Sequence, residues 1–133
     1  MKTGKTFPIL CGTDFSGNAG QAANVAAALA VRLNAPLLLV HAKEMLINAL
    51  TPDVNTTLVT SLRESLREEA GRLRGLGATV EEMLLAGEPD AALVQLAQEQ
   101  EARLLVVSSL GRRKPSRWFI GSVAERTAES SGL

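Results

Sequence analysis

Three residues whose side chains are suited to chemistry lie in or at the ends of apolar segments. The single cysteine, Cys11, lies within the apolar run FPILCG, and Asp14 follows that run. The single histidine, His41, closes a second apolar run. The carboxylate or backbone amide of Asp14 can hydrogen-bond a ribose or a base, whereas the same side chain can also cap a following helix. Both interpretations stay open on these residues alone.

Neither His41 nor Cys11 is predicted to be catalytic. One histidine cannot build a metal site, and the spacing indicates no Ser-His-Asp or Cys-His arrangement. We expect His41 to be packed and hydrogen-bonded at a strand end, and Cys11 to be an inert core thiol. The loop GTDFSGNAG contains neither the dinucleotide-binding nor the P-loop glycine fingerprint.

A second candidate site lies in the C-terminal part of the sequence. Gly111 and Gly121 are separated by the nine residues RRKPSRWFI, and Ser122 follows. A glycine lets backbone approach a phosphate closely, and a helix start supplies free N–H donors. A helix beginning at Gly121, Ser122 and Val123 is therefore predicted to form an anion cradle. The structural alternatives are a capping box between Ser122 and Glu125 and a solvated basic loop. The basic residues of that loop are Arg112, Arg113, Lys114 and Arg117.

Length and composition narrow the class of protein. A chain of 133 residues predicts one domain. Because 14 Lys and Arg balance 14 Asp and Glu, no global charge favours nucleic acid or an anionic membrane as a partner. The single cysteine excludes a disulfide framework and suits a reducing compartment. No segment has the pattern of a signal peptide or a membrane span, so we expect a cytoplasmic protein.

Apolar runs alternate with helical patterns along the whole chain. Strands are predicted at residues 7–14, 36–42, 78–86 and 102–109. Helices are predicted at residues 16–33, 58–73, 89–101 and from 121 onward. This order predicts an α/β domain with a doubly wound parallel sheet covered on both faces. Because ligands bind outside the carboxyl ends of such strands, the residues of interest are 12–16, 41–44 and those from 108 onward.

With these elements in place, the sequence resembles the universal stress proteins. The resemblance is carried by T-D-F-S after the first strand, V-H at the end of the second, and GSVAER after the nine-residue spacer. It implies an adenine nucleotide alpha hydrolase-like fold, with parallel strands in the order 3-2-1-4-5, and frequently a dimer. The nucleotide-binding branch of this family binds ATP through the motif G-x2-G-x9-G-[ST], with Mg²⁺ expected beside the phosphates.

The resemblance also implies a nucleotide site. Its residues, carried over by position, are Gly12, Thr13, Asp14, Ala42, Val107, Ser108, Gly111, Arg112, Gly121, Ser122 and Val123. Ser108 stands where the motif has its first glycine, and a Cβ there is expected to weaken binding by roughly tenfold. The family's fifth strand has no counterpart after residue 122. We therefore expect a single domain over residues 1–133 with the sheet order 3-2-1-4.

Two functions follow from the resemblance. The first is a universal stress protein that binds ATP or a related adenine nucleotide in stress response or signalling, with at most slow hydrolysis. The alternative is a family member that does not bind nucleotide and works as a dimeric protein-interaction module. Three situations would each explain the missing strand: a trimmed chain, one half of a tandem protein, or a partner chain that covers the fourth strand. Because an open strand edge favours association, we expect a homodimer. An ATP-pyrophosphatase-like enzyme is disfavoured because the first loop lacks a Ser-Gly-Gly sequence. An electron-transfer flavoprotein module is compatible with the predicted fold, but a fold alone does not indicate a function.

Overall fold

The computed structural model describes residues 7–43, 52–108 and 118–122, with the backbone alone at 52–55, 108 and 118–122. Within these residues, five strands and three helices follow one another along the chain. They are β1 (Ile9–Gly12), α1 (Gly17–Leu33), β2 (Leu37–Lys43), α2 (Pro52–Arg74), β3 (Val80–Ala86), α3 (Pro89–Glu99), β4 (Leu104–Ser108) and β5 (Trp118–Ser122). None of the helices in this part of the chain is long and apolar enough to cross a membrane.

The strands form one sheet in the order β3-β2-β1-β4-β5. β1 pairs in parallel with both β2 and β4, and β2 pairs in parallel with β3. The predicted parallel order 3-2-1-4 is therefore confirmed. The strand order reverses beside β1, because the chain moves from β1 to β2 on one side and returns to β4 on the other.

The fifth strand corrects the sequence analysis at one point. Gly121 and Ser122 were predicted to begin a helix, but they end β5, which runs antiparallel to β4. The aromatic and β-branched residues Trp118, Phe119 and Ile120 have high strand propensity, and the edge of β4 leaves backbone groups to be paired. Pairing with β5 satisfies those groups within the same chain.

Side chains alternate between two apolar layers, one on each face of the sheet. Cys11 and Leu39 pack on the face covered by α1 and α2, whereas Leu10, Leu38 and Val40 pack on the face covered by α3. On α1 the buried face consists of small residues, which allow the helix to lie close to the sheet. These are Ala19, Ala22, Ala23, Ala26, Ala27 and Ala30. The continuous apolar runs of β1 and β2 follow from burial on both faces.

The helix ends largely follow the predicted signals. Ser16 is the N-cap of α1, and its Oγ accepts a hydrogen bond from the backbone N–H of Ala19 at 3.1 Å. Pro89 occupies the first turn of α3, as expected. α2 begins at Pro52, six residues before the predicted start at residue 58. Proline is tolerated in a first helical turn because it removes a donor that has no helical acceptor there, so Pro52 begins the helix rather than interrupting the chain.

Two glycine substitutions should change stability in opposite directions. Gly71 lies inside α2, and apart from its chain neighbours and the nearby backbone of the helix no described atom lies within 4 Å of the position that its Cβ would take. A Cβ on Gly12, in contrast, would lie 2.6 Å from Leu93 Cδ1 and 3.2 Å from Val107 Cγ1. Gly71→Ala should raise the free energy of unfolding by about 1 kcal/mol through helix propensity. Gly12→Ala should lower it by about 1–3 kcal/mol through overpacking. Denaturant unfolding followed by circular dichroism measures both values. Equal stability of Gly12→Ala and the parent chain would contradict the packing described for Gly12.

Candidate functional site

The turn between β1 and α1 is built from side chains that bond to their own backbone. The N–H of Thr13 donates to the carbonyl of Val40 at 2.9 Å, which extends the pairing of β1 and β2 by one residue. The N–H of Phe15 then donates to Thr13 Oγ1 at 3.0 Å, and the N–H of Ser16 donates to Asp14 Oδ1 at 2.9 Å. Short side chains that bond the backbone two residues on are typical of tight turns. These bonds bring the chain from the sheet to the N-cap of α1 within three residues.

Phe15 carries the conformational cost of this turn. Its φ is 67°, in the left-handed region that a bulky side chain rarely adopts. Such a backbone conformation costs on the order of 1–3 kcal/mol and persists where the surroundings over-determine it. Here the hydrogen bond to Thr13 holds the N–H of Phe15, and its ring lies against the His41 ring with centroids 4.7 Å apart.

His41 holds the turn from the neighbouring strand. His41 is 9% exposed, and its Nδ1 lies 2.8 Å from the carbonyl oxygen of Thr13. Because a carbonyl oxygen can only accept, Nδ1 carries the proton and donates. The prediction of a packed, hydrogen-bonded histidine is confirmed, but His41 lies two residues before the end of β2 at Lys43 rather than closing the strand.

Asp14 presents hydrogen-bonding groups to solvent at the carboxyl edge of the sheet. Its side chain is exposed, and Oδ1 accepts from Ser16, so that Ser16 rather than Asp14 caps α1. Within the described part of the chain, neither Oδ2 nor the backbone N–H of Asp14 has a hydrogen-bond partner. The residue therefore offers one acceptor and one donor beside the point where the strand order reverses.

The described site residues of β1, β2 and β4 lie along this same edge. Gly12 ends β1, Ala42 is buried near the end of β2, and Val107 lies partly buried near the end of β4. The space beside Gly12 is filled by Leu93 and Val107, so the missing Cβ of Gly12 serves the packing of α3 against the sheet. Thr13 and Asp14 complete this group at the end of β1.

The C-terminal part of the predicted site lies elsewhere or outside the described residues. Ser108 ends β4 and pairs with Trp118, but Gly121 pairs with Leu105 and Ser122 with Leu104. Three residues of strand separate Leu105 from Ser108, which places Gly121 about 10 Å from the carboxyl end of β4. The structure therefore does not bring Gly121 and Ser122 to the edge where Asp14 lies. Gly111, Arg112 and Val123 lie outside the described residues.

A polar cavity beside the turn was not predicted. It has a volume of about 270 Å³ and lies between the start of α1 and α2. Its lining residues are Phe15, Ser16, Gly17, Gly20, Gln21, Asn24, Glu69 and Arg72. Arg72 donates to both carboxylate oxygens of Glu69, at 2.9 and 2.7 Å, and to Asn24 Oδ1 at 2.7 Å. The periodicity of α2 identifies Arg72 only as a polar-face residue, because its partner Asn24 is 48 positions away in the sequence.

The thiol of Cys11 should be chemically inert in the folded protein. Burial raises the pKa of Cys11 to about 12, and the negative charge of Glu69 adds to the rise. Relative to an ordinary thiol of pKa 9.0, the thiolate fraction near pH 8 is then about a thousandfold smaller. Native protein should react with DTNB far more slowly than protein unfolded in guanidinium, and its rate should rise with pH. Equal rates in the two states would contradict the burial of Cys11.

The fold and this edge define a class of protein: a doubly wound α/β domain with polar groups at the switch point of its sheet, where ligands bind in such folds. Residues 6–132 match the model of the universal stress protein family. The chain therefore belongs to the universal stress protein family.

Solved structures of the same family resemble the chain. A universal stress protein in complex with cAMP is 30% identical, with a TM-score of 0.65 over 83% of this chain and 79% of that one. One from Archaeoglobus fulgidus in complex with dAMP is 28% identical, with a TM-score of 0.66 over 76% and 79%. Another universal stress protein from that organism is 27% identical, with a TM-score of 0.70 over 91% and 90%. No curated protein sequence matches the chain.

Proposed function

We propose that this universal stress protein binds ATP or a related adenine nucleotide at the carboxyl edge of β1, β2 and β4, and acts in stress response or signalling in the cytoplasm. The observation that carries the proposal is the pair of Asp14 groups, Oδ2 and the backbone N–H, both at this edge without a partner in the described chain. An acceptor and a donor so close together suit a ribose hydroxyl or the edge of a base. Two relatives whose structures contain cAMP and dAMP support an adenine nucleotide as the ligand.

The charges near the site fit a nucleoside better than a bare phosphate. Asp14 is an anion, which repels phosphate oxygens but accepts hydrogen bonds from hydroxyl and amino groups. In the described residues no three His, Cys, Asp or Glu side chains form a group that could hold a metal ion. We propose that Mg²⁺ enters with the nucleotide phosphates, and that phosphate contacts come from Gly111 and Arg112. The proposed activity is binding, with no residue assigned to catalysis.

The charge of Asp14 provides the test. Asp14→Asn keeps an oxygen that can accept from the N–H of Ser16, but loses the negative charge. We expect it to weaken the binding of Mg·ATP by about tenfold, because charge-assisted hydrogen bonds are the stronger ones. Glu68→Gln makes the same chemical change at an exposed position on α2 and serves as the matched control.

Isothermal titration calorimetry measures the affinities in this test. Mass spectrometry of small molecules released from the denatured parent protein identifies any nucleotide that copurifies. An equal loss in both variants, or none in either, would argue against a nucleotide at Asp14. A parent chain that contains no nucleotide and binds no added Mg·ATP would overturn the proposed function.

The alternative function is a homodimeric interaction module that does not bind nucleotide. The observation in its favour is the position of Gly121 and Ser122 in β5, about 10 Å along β4 from the carboxyl edge. The sequence predicts a dimer through an open edge of β4, but β5 of the same chain covers that edge. We propose that the dimer of this alternative uses the outer edge of β5 instead, since edge strands favour pairing with a second chain.

Ser108 distinguishes the two functions. If the side chain of Ser108 alone limits nucleotide binding, Ser108→Gly should tighten Mg·ATP binding by about tenfold, because the Cβ at this position is expected to weaken binding by that factor. Calorimetric titration of both proteins checks this value. The same lack of binding in both proteins would favour the interaction module, whereas equal measurable affinity would show that Ser108 does not limit nucleotide binding. A tighter variant would favour the nucleotide site.

A further inference from the structure

A hydrogen bond links the side chain of His41 in β2 to the carbonyl of Thr13 in the turn after β1, in addition to the ring contact between His41 and Phe15. It lies next to the last pairing of the two strands, where the N–H of Thr13 reaches the carbonyl of Val40. Both residues are more than nine-tenths buried, with Thr13 7% and His41 9% exposed. The buried side chain of His41 and the carbonyl of Val40, both in β2, thus hold the two peptides on either side of Thr13.

This bond fixes the orientation of Asp14. The peptide between Thr13 and Asp14 is planar and trans, so its N–H points in the opposite direction to its carbonyl. With the Thr13 carbonyl directed at His41, the N–H of Asp14 is directed away from His41, where it has no partner in the described chain. The orientation of the free donor of Asp14 therefore depends on the donor in His41.

A second contact, between His41 and Phe15, also holds the turn. The Phe15 ring lies against the His41 ring at an interplanar angle of 37°, and Phe15 is the residue with φ 67°. Without the histidine, the carbonyl of Thr13 would lose its buried donor and Phe15 would lose part of its packing. A turn that contains an unfavourable φ then has less to hold it in one conformation.

We propose that His41 is a positioning residue of the ligand site: its Nδ1–H orients the peptide that presents Asp14. The proposal deepens the proposed function, on which its ligand-binding part rests. His41 acts through Thr13 and Phe15 and is not assigned a contact with the ligand. The prediction concerns the donor at Nδ1 specifically, so substitutions that keep or remove that donor separate this role from simple packing.

Two substitutions and one control test the proposal. His41→Asn places an amide nitrogen close to the position of Nδ1 and keeps a donor for the Thr13 carbonyl. His41→Phe keeps a ring against Phe15 but has no donor. Leu73→Ala removes a fully buried side chain of α2 and lowers stability by a route that does not involve the turn.

Calorimetric titration with Mg·ATP and with AMP, well below the melting temperature of every variant, is the first measurement. His41→Phe should lose affinity by about tenfold or more, whereas His41→Asn should stay within about threefold of the parent. Leu73→Ala should melt at a lower temperature yet bind like the parent. Equal affinities of the Phe and Asn variants, or an equal loss in Leu73→Ala, would overturn the positioning role.

Amide hydrogen exchange by NMR tests the same claim without a ligand. The N–H groups of Phe15 and Ser16 bond to Thr13 Oγ1 and Asp14 Oδ1, so they report whether the turn is intact. They should exchange faster in His41→Phe and at the parental rate in His41→Asn. If the parent binds no nucleotide but the exchange rates follow this pattern, the proposed function fails while the positioning of the turn stands. Unchanged exchange in His41→Phe would refute the positioning itself.

Discussion

The central strand β1 is buried on both faces and hydrogen-bonded on both edges, and this constraint decides where the chain can meet a ligand. Ile9, Leu10 and Cys11 are fully buried, and their backbone groups pair with β2 on one side and β4 on the other. A strand of this kind has no free polar group along its length. The burial continues through Thr13, so Asp14 is the first residue after β1 whose side chain reaches solvent. The interior of β1 therefore offers no group to a ligand, and the first exposed polar side chain after it lies at its carboxyl end.

The same constraint explains why the turn is so short and so heavily bonded. The chain must leave a dry sheet and begin α1 at Gly17 without burying unpaired backbone groups. Thr13, Asp14 and Ser16 each accept a backbone N–H through a side-chain oxygen, and His41 supplies a donor for a carbonyl. These bonds offset the unfavourable φ of Phe15. Strain and satisfied polar groups thus occur together at the edge where a functional site is expected.

Local patterns in the sequence were sufficient for most of the fold. The unbroken apolar runs of β1 and β2 indicated strands buried on both faces, and Ser16 and Pro89 marked helix starts that the structure confirms. What the sequence could not indicate were features that depend on distant partners. β5 forms by pairing with the edge of β4, and Arg72 donates a hydrogen bond to Asn24 of another helix. Neither contact leaves a periodic signal within one segment.

The candidate site also has a part that the sequence predicts and a part that depends on pairing with a distant segment. Thr13 and His41 are adjacent through the register of β1 and β2, whereas the parallel order predicts only that the ends of these strands meet at one edge of the sheet. A phosphate cradle at Gly121 and Ser122 depended on a helix start, and strand pairing with β4 prevailed there. The described polar groups of the candidate site therefore belong to the turn after β1 and to His41, and Gly121 and Ser122 do not join them. Under the nucleotide-binding function proposed above, an anionic Asp14 favours hydroxyl and amino groups over phosphate oxygens, so recognition of the phosphate number requires residues other than those of this turn.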